Sequence, residues 1–179
     1  HEVLYFHKVD DPYSHLTIQY IDKLINGYDI DLKPILVGEE NPVTVHEPDL
    51  YDAYCLQDVK RIAPFYNVDF EALSYPSKNL VSLANSILCH LEAEQFTSIA
   101  KEVSFALWQG QEEKLKELNE LYNATDSEVS NKLNDGNEIR NNCDYYFGSA
   151  FYYEKELYWG VDRLNHLETR LAELGIKKT

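Results

Sequence analysis

The sequence predicts an α/β fold in which a βαβ unit opens the chain, a long helical block interrupts it, and an α-β-β-α segment closes it. Three observations carry this reading. The branched and aromatic run Val3-Leu4-Tyr5-Phe6-His7-Lys8-Val9 is followed by helical spacing and then by a second apolar run, Ile35-Leu36-Val37. From Tyr54 the apolar residues recur with a helical period for about eighty residues. After Gly148 the period drops to two.

The first run is rich in β-forming residues and stops at Asp10-Asp11-Pro12, so it reads as a strand. Asp followed by Pro is a strong helix start, with the Asp side chain capping free N–H groups and Pro at the first helical position. Tyr13, Leu16, Tyr20, Ile21 and Leu24 then share one helical face, and Gly27 is a fitting stop. Ile30, Leu32 and Ile35-Leu36-Val37 give the second strand, ending at Gly38. The two strands should be parallel, with a right-handed crossover.

Residues 39–50 hold turn formers and acids without periodicity. The block beyond them contains Leu80, Leu83, Ala84, Ile87, Leu88 and Leu91 at helical spacing, then Phe96, Ile99, Ala100, Val103, Ala106 and Leu107. Leu115, Leu118 and Leu121 mark a further helix, and another begins at Asp126. These amphipathic faces must pack on each other or on the sheet. Ala150-Phe151-Tyr152-Tyr153 and Glu156-Leu157-Tyr158-Trp159 flank Glu154-Lys155 as a β-hairpin, although Asn-Gly is the preferred turn. Gly160 and Asp162 open a last helix bearing Leu164, Leu167, Leu171 and Leu174 on one face. Residues 1–41 and 135–179 are thus expected to form one domain, and 42–134 a helical insertion. Without the insertion, the element order is that of the thioredoxin fold.

Composition narrows the function. The net charge of −15 argues against nucleic acid and anionic membrane as partners, because binding phosphate needs a basic surface. No stretch reaches the roughly 20 apolar residues of a membrane span. His1–Phe6 lacks the basic and apolar regions of a signal peptide, so a cytoplasmic location is expected. The chain contains no Met, and whether a targeting segment has been removed is left open. Cys55, Cys89 and Cys143 form neither a CxxC nor a zinc spacing, and read as buried free thiols in a reducing compartment. No metal site, phosphate loop or nucleophile elbow stands out. His7 and His15 could face a common site, but histidines so placed are usually structural.

Three segments resemble the DsbA-like family that includes 2-hydroxychromene-2-carboxylate isomerase and kappa-class glutathione transferase. Tyr5-Phe6 leading to Asp11-Pro12-Tyr13-Ser14 is similar to the family's strand-to-helix site. Tyr54-x-x-x-Asp58-Val59-x-Arg61-x-Ala63, followed by Phe105-Ala106-Leu107-Trp108 and Gly110, resembles its inserted domain. Glu156-Leu157-Tyr158-Trp159-Gly160-Val161-Asp162-Arg163-Leu164 is similar to its hairpin exit.

The resemblance implies a glutathione- or disulfide-handling site at the N-terminus of the first helix. Free N–H groups and the helix dipole there stabilise an anion such as a thiolate. Redox members of the family hold a Cys before the Pro, and isomerase and transferase members hold a Ser. Here that residue is Asp11, whose charge would raise a nearby thiol's pKa. The family's cis-proline corresponds to Ser149, its lysine to Tyr51, and its small hydroxyl residue to Val161. A cis bond before Ser149 would cost about 3–4 kcal/mol, which puts the usual ligand-docking edge in doubt.

Asp11 and Ser14 are therefore the candidate catalytic residues, and Asn41, Ser149, Trp159 and Asp162 the candidate ligand contacts. For Asp11 and Asp162 the plain alternative is a helix N-cap. The expected function is that of a degenerate family member that binds a small-molecule or thiol ligand, or a partner protein. The alternatives are a glutathione-dependent isomerase or transferase with an altered activating residue and, behind it, a thiol-disulfide oxidoreductase. The resemblance admits glutathione as a cofactor and a homodimer, without requiring either.

Overall fold

The computed structural model describes residues 1–39 and 44–178. Strand β1 (Glu2–His7) leads through helix α1 (Pro12–Gly27) to β2 (Asp31–Leu36). Helices α2 (Pro48–Tyr66), α3 (Lys78–Leu88), α4 (Ala93–Trp108), α5 (Glu112–Leu121) and α6 (Asp126–Asn142) follow. Strands β3 (Ala150–Tyr153) and β4 (Glu156–Trp159) form a hairpin, and a 3-10 turn at Val161–Arg163 leads into α7 (Leu164–Glu173). The sheet order is β2-β1-β3-β4, with β1 parallel to β2 and antiparallel to β3. The expected α/β class and element order are those of the structure.

Strand alternation feeds two layers. Val3, Tyr5, Leu32, Phe151 and Tyr153 join the main core with Leu16, Ile21 and Leu24 of α1 and Leu167 and Leu171 of α7. Phe6, Val37, Ala150 and Tyr145 form a smaller cluster. The hairpin turn holds Glu154 at φ 50° and Lys155 at φ 68°. Both are left-handed, as a tight two-residue hairpin demands, and non-glycine residues fill it at a conformational cost.

Several boundaries differ from the sequence reading. Strand β1 stops at His7, not Val9, because the Asp11 N–H bonds the Lys8 carbonyl at 3.2 Å and closes a turn. Helix α2 starts at Pro48, six residues before Tyr54. Its outer face carries the exposed Leu50 and Tyr54, so apolar spacing does not mark where it begins. Asn67, left-handed at φ 53°, ends it, and the helical block is broken before α3. Helix α6 begins at Asp126, as expected, and runs to Asn142. It packs on β2 where Gly136 meets the chain closely: a Cβ there would lie 2.0 Å from the Leu36 carbonyl oxygen. The three cysteines are free thiols. Among the described residues, no helix is long and apolar enough to cross a membrane.

Candidate ligand-binding site

Asp-Pro sets the first helix as the sequence suggests. Asp11 is the N-cap, in an extended conformation, and its Oδ1 accepts from the Tyr13 N–H at 3.2 Å. Its Oδ2 accepts from the Ser14 N–H at 3.0 Å and from the Ser14 hydroxyl at 2.8 Å. Ser14 is fully buried, and its Oγ also accepts the Lys8 N–H at 3.3 Å. The two candidate catalytic residues therefore form one knot, with the hydroxyl directed at the carboxylate. Gly148 closes over it. A Cβ at that position would fall 2.8 Å from Lys8 Cβ and 3.0 Å from Asp11 Oδ2.

A cavity of about 560 Å³ opens beside this knot, between the helix terminus, the hairpin exit and α2. One wall is aromatic. Phe147 stacks on Tyr51 (centroids 5.6 Å apart, 13° between planes) and on Trp159 (5.6 Å, 17°). Tyr13 leans on Trp159 at 5.6 Å and donates its hydroxyl to Asp58 at 2.8 Å, which ties α1 to α2 at the edge of the site. The polar lining is acidic. Among the described residues it offers Asp10, Asp11, Glu39 and Asp52 against the ammonium of Lys8, which lies 3.7 Å from Asp10.

This environment disfavours anions. Cys55 lines the cavity, and burial pushes its thiol up to about 11, with the Asp11 and Asp52 carboxylates adding to the rise. The Tyr75 phenol, also in the lining, is raised by burial and then by Cys55 and the same two carboxylates.

The other candidate residues are scattered. Trp159 lines the cavity. Ser149 does not present its side chain there: it is fully buried, with its Oγ 2.7 Å from Thr17 Oγ1. No cis peptide bond occurs among the described residues, and Ser149 instead sits at φ 53°. The left-handed turn at this residue aims the hydroxyl at α1. Asp162 also lies away from the cavity lining. The Gly160 N–H bonds the Ser149 carbonyl at 2.6 Å, and the 3-10 turn that follows places Asp162 3.2 Å from Arg163 at the surface. It makes no side-chain cap either, since α7 begins only at Leu164. Asn41 lies outside the described residues.

The histidines do not share this site. His7 Nδ1 pairs with the Tyr5 hydroxyl at 2.9 Å, and His15 Nδ1 pairs with Ser104 Oγ at 2.7 Å. Burial lowers His7 to about 3 and His15 to about 4, so both are neutral packing residues. Sequence reasoning missed Asp52, Cys55 and Phe147 as lining residues. The aromatic run Tyr145-Tyr146-Phe147 before Gly148 was the available signal for the last. Nothing local marks Asp52 or Cys55, which reach the site only through the packing of α2 against α1.

The sequence matches no protein-family model and no curated protein. Among solved structures, the chain is similar to a 2-hydroxychromene-2-carboxylate isomerase. The TM-score is 0.71 at 17% identity, covering 97% of this chain and 96% of that one. The shared architecture is the DsbA-like thioredoxin fold. At this identity the likeness speaks for the fold, while the residues at the helix terminus speak for the chemistry.

Proposed function

We propose that this chain is a ligand-binding protein of DsbA-like thioredoxin fold, using the cavity at the α1 N-terminus without thiol-disulfide chemistry. One observation carries the reading. The N–H groups that would stabilise a thiolate in the resembled family are taken by the protein's own carboxylate at Asp11. A second anion beside it would be repelled, and the nearby Cys55 thiol is held protonated. The test is a dithiol reductase assay together with calorimetric titration of the purified protein with glutathione. This reading expects no reductase activity and no glutathione turnover. Glutathione-dependent turnover of a disulfide or an isomerisable substrate would overturn it.

A glutathione-dependent isomerase or transferase is the second reading. Its support is the likeness over nearly the full length to an isomerase, together with a cavity lined by Trp159 at the matching hairpin exit. It requires Asp11 to act as a base on the incoming thiol. Turnover of 2-hydroxychromene-2-carboxylate with glutathione present, abolished in Asp11→Asn, would establish it.

A further inference from the structure

We propose that the outer face of α2 is a self-association surface, on which a second copy of this chain packs its own α2 antiparallel across a twofold axis. The inference goes beyond the cavity reading and does not depend on it. Cys55, Val59 and Ala63 turn one side of the helix into the core. The opposite side carries Leu50, Tyr54, Gln57, Arg61 and Phe65, spaced by four, three, four and four residues. At that spacing they share one face over about 22 Å of helix. Leu50 is 70% exposed, Tyr54 56% and Phe65 85%. Single exposed apolar residues are ordinary, but three large ones in line on one helix form the kind of stripe that helices bury against a neighbour.

Charge and spacing select the occupant. The chain carries 31 Asp and Glu against 16 Lys and Arg, so two copies repel over most of their surfaces. Between Leu50 and Phe65 no exposed residue of α2 is acidic, and the two charged ones there are Lys60 and Arg61. Two copies meet the least carboxylate repulsion on this face. About the point between Gln57 and Asp58, the face is its own complement. Leu50 falls opposite Phe65 of the second copy and Tyr54 opposite its Arg61, each pair occurring twice as a twofold axis requires. The first pair is an apolar contact, and the second sets a guanidinium against a ring whose face attracts cations. A parallel pair would instead oppose Arg61 to Arg61, and the helix dipoles would also align unfavourably. One helix pair of this length buries less than the roughly 800 Å² per partner of a stable complex, so the expected dissociation constant is about 10–100 µM.

Sedimentation equilibrium of the purified chain tests this at about 0.15 M salt, where charges beyond roughly 8 Å are screened. Between about 2 and about 500 µM protein, a range that brackets the expected constant, the apparent mass should rise from 20.8 kDa toward twice that value. Leu50→Lys and Phe65→Glu should each weaken the dimer at least about tenfold, because each change is felt at two contacts. Mixed in equal amounts, the two variants should recover a dimer. The introduced lysine of one chain then falls opposite the introduced glutamate of the other, and the second Leu50–Phe65 contact is native. Leu121→Asp, on an exposed apolar residue of α5, should change nothing. All three positions are exposed, so the core is untouched, and thermal unfolding of each variant at low concentration verifies that it is folded. A chain that stays at 20.8 kDa throughout the range overturns the proposal. So does a dimer that Leu50→Lys and Phe65→Glu leave intact, or one that Leu121→Asp weakens equally. A dimer weakened by both α2 variants but not recovered in their mixture overturns the antiparallel twofold pairing.

Discussion

Two polar regions flank α1, and they differ in how their groups are satisfied. On its inner face His15 pairs with Ser104 and Thr17 with Ser149, while His7 and Tyr5 pair on the adjoining strand β1. Each pair is closed, buried and surrounded by apolar packing. At the N-terminus of the same helix the polar groups line an open cavity, and four carboxylates, Asp10, Asp11, Glu39 and Asp52, face it with the single ammonium of Lys8 among the described residues. The contrast teaches where to look for function. Polar groups that complete one another stabilise the fold, because leaving either partner unpaired in the core costs about 1–3 kcal/mol. Polar groups that line a cavity are the ones a ligand can reach.

The comparison breaks most sharply in the core. Phe151 is fully buried and stacks on Tyr5 with centroids 4.8 Å apart. Phe151→Ala should destabilise the protein by about 3–5 kcal/mol in denaturant titration. A loss below about 1 kcal/mol would mean that the sheet face is not packed as described.

The closed pairs make a pH prediction of intermediate size. His7 and His15 are lowered by burial to about 3 and about 4, against an ordinary value of 6.5. Below pH 6.5 the unfolded chain takes up protons at both imidazoles and the folded chain does not. Their contribution to stability is therefore full above pH 6.5 and is lost as pH falls toward 4. The slope should approach about 2–3 kcal/mol per pH unit for two protons. Denaturant titrations at pH 5 and 6.5 measure it. A flat profile would show that the imidazoles protonate in the folded protein.

The open region should respond least in stability. Asp11→Ala removes an N-cap and should cost about 1 kcal/mol, whereas Asp11→Ser should cost only a fraction of that. Thermal unfolding of the two variants checks the difference. If Asp11→Ala were as damaging as Phe151→Ala, the carboxylate would be part of the folding core and not of a site.

The legibility of the sequence follows the same division. The βαβ start, the hairpin and the Asp11 cap are written locally, in alternation, in helical spacing and in Asp-Pro, and all three were readable. Ser149 was not. Whether a buried serine turns its hydroxyl to a ligand or to Thr17 depends on one backbone angle, and no spacing encodes it. Asp162 is not the cap of the last helix, because a 3-10 turn stands where the sequence suggests a helix start, and the two share the same residue preferences. The cavity wall from α2 was invisible because Asp52 and Cys55 sit on a helix whose outward face mixes apolar and charged residues.

The central claim is that Asp11 turns the helix terminus away from anionic thiol chemistry. Titration of glutathione into the native protein and into Asp11→Ser, with both proteins shown to be folded, tests it most directly. Serine would donate a hydrogen bond to a thiolate where aspartate repels it. The account expects the native protein to bind glutathione weakly or not at all, and Asp11→Ser to bind it at least about tenfold more tightly. Tight binding or turnover by the native protein, lost on Asp11→Asn, would contradict it and make Asp11 a catalytic base.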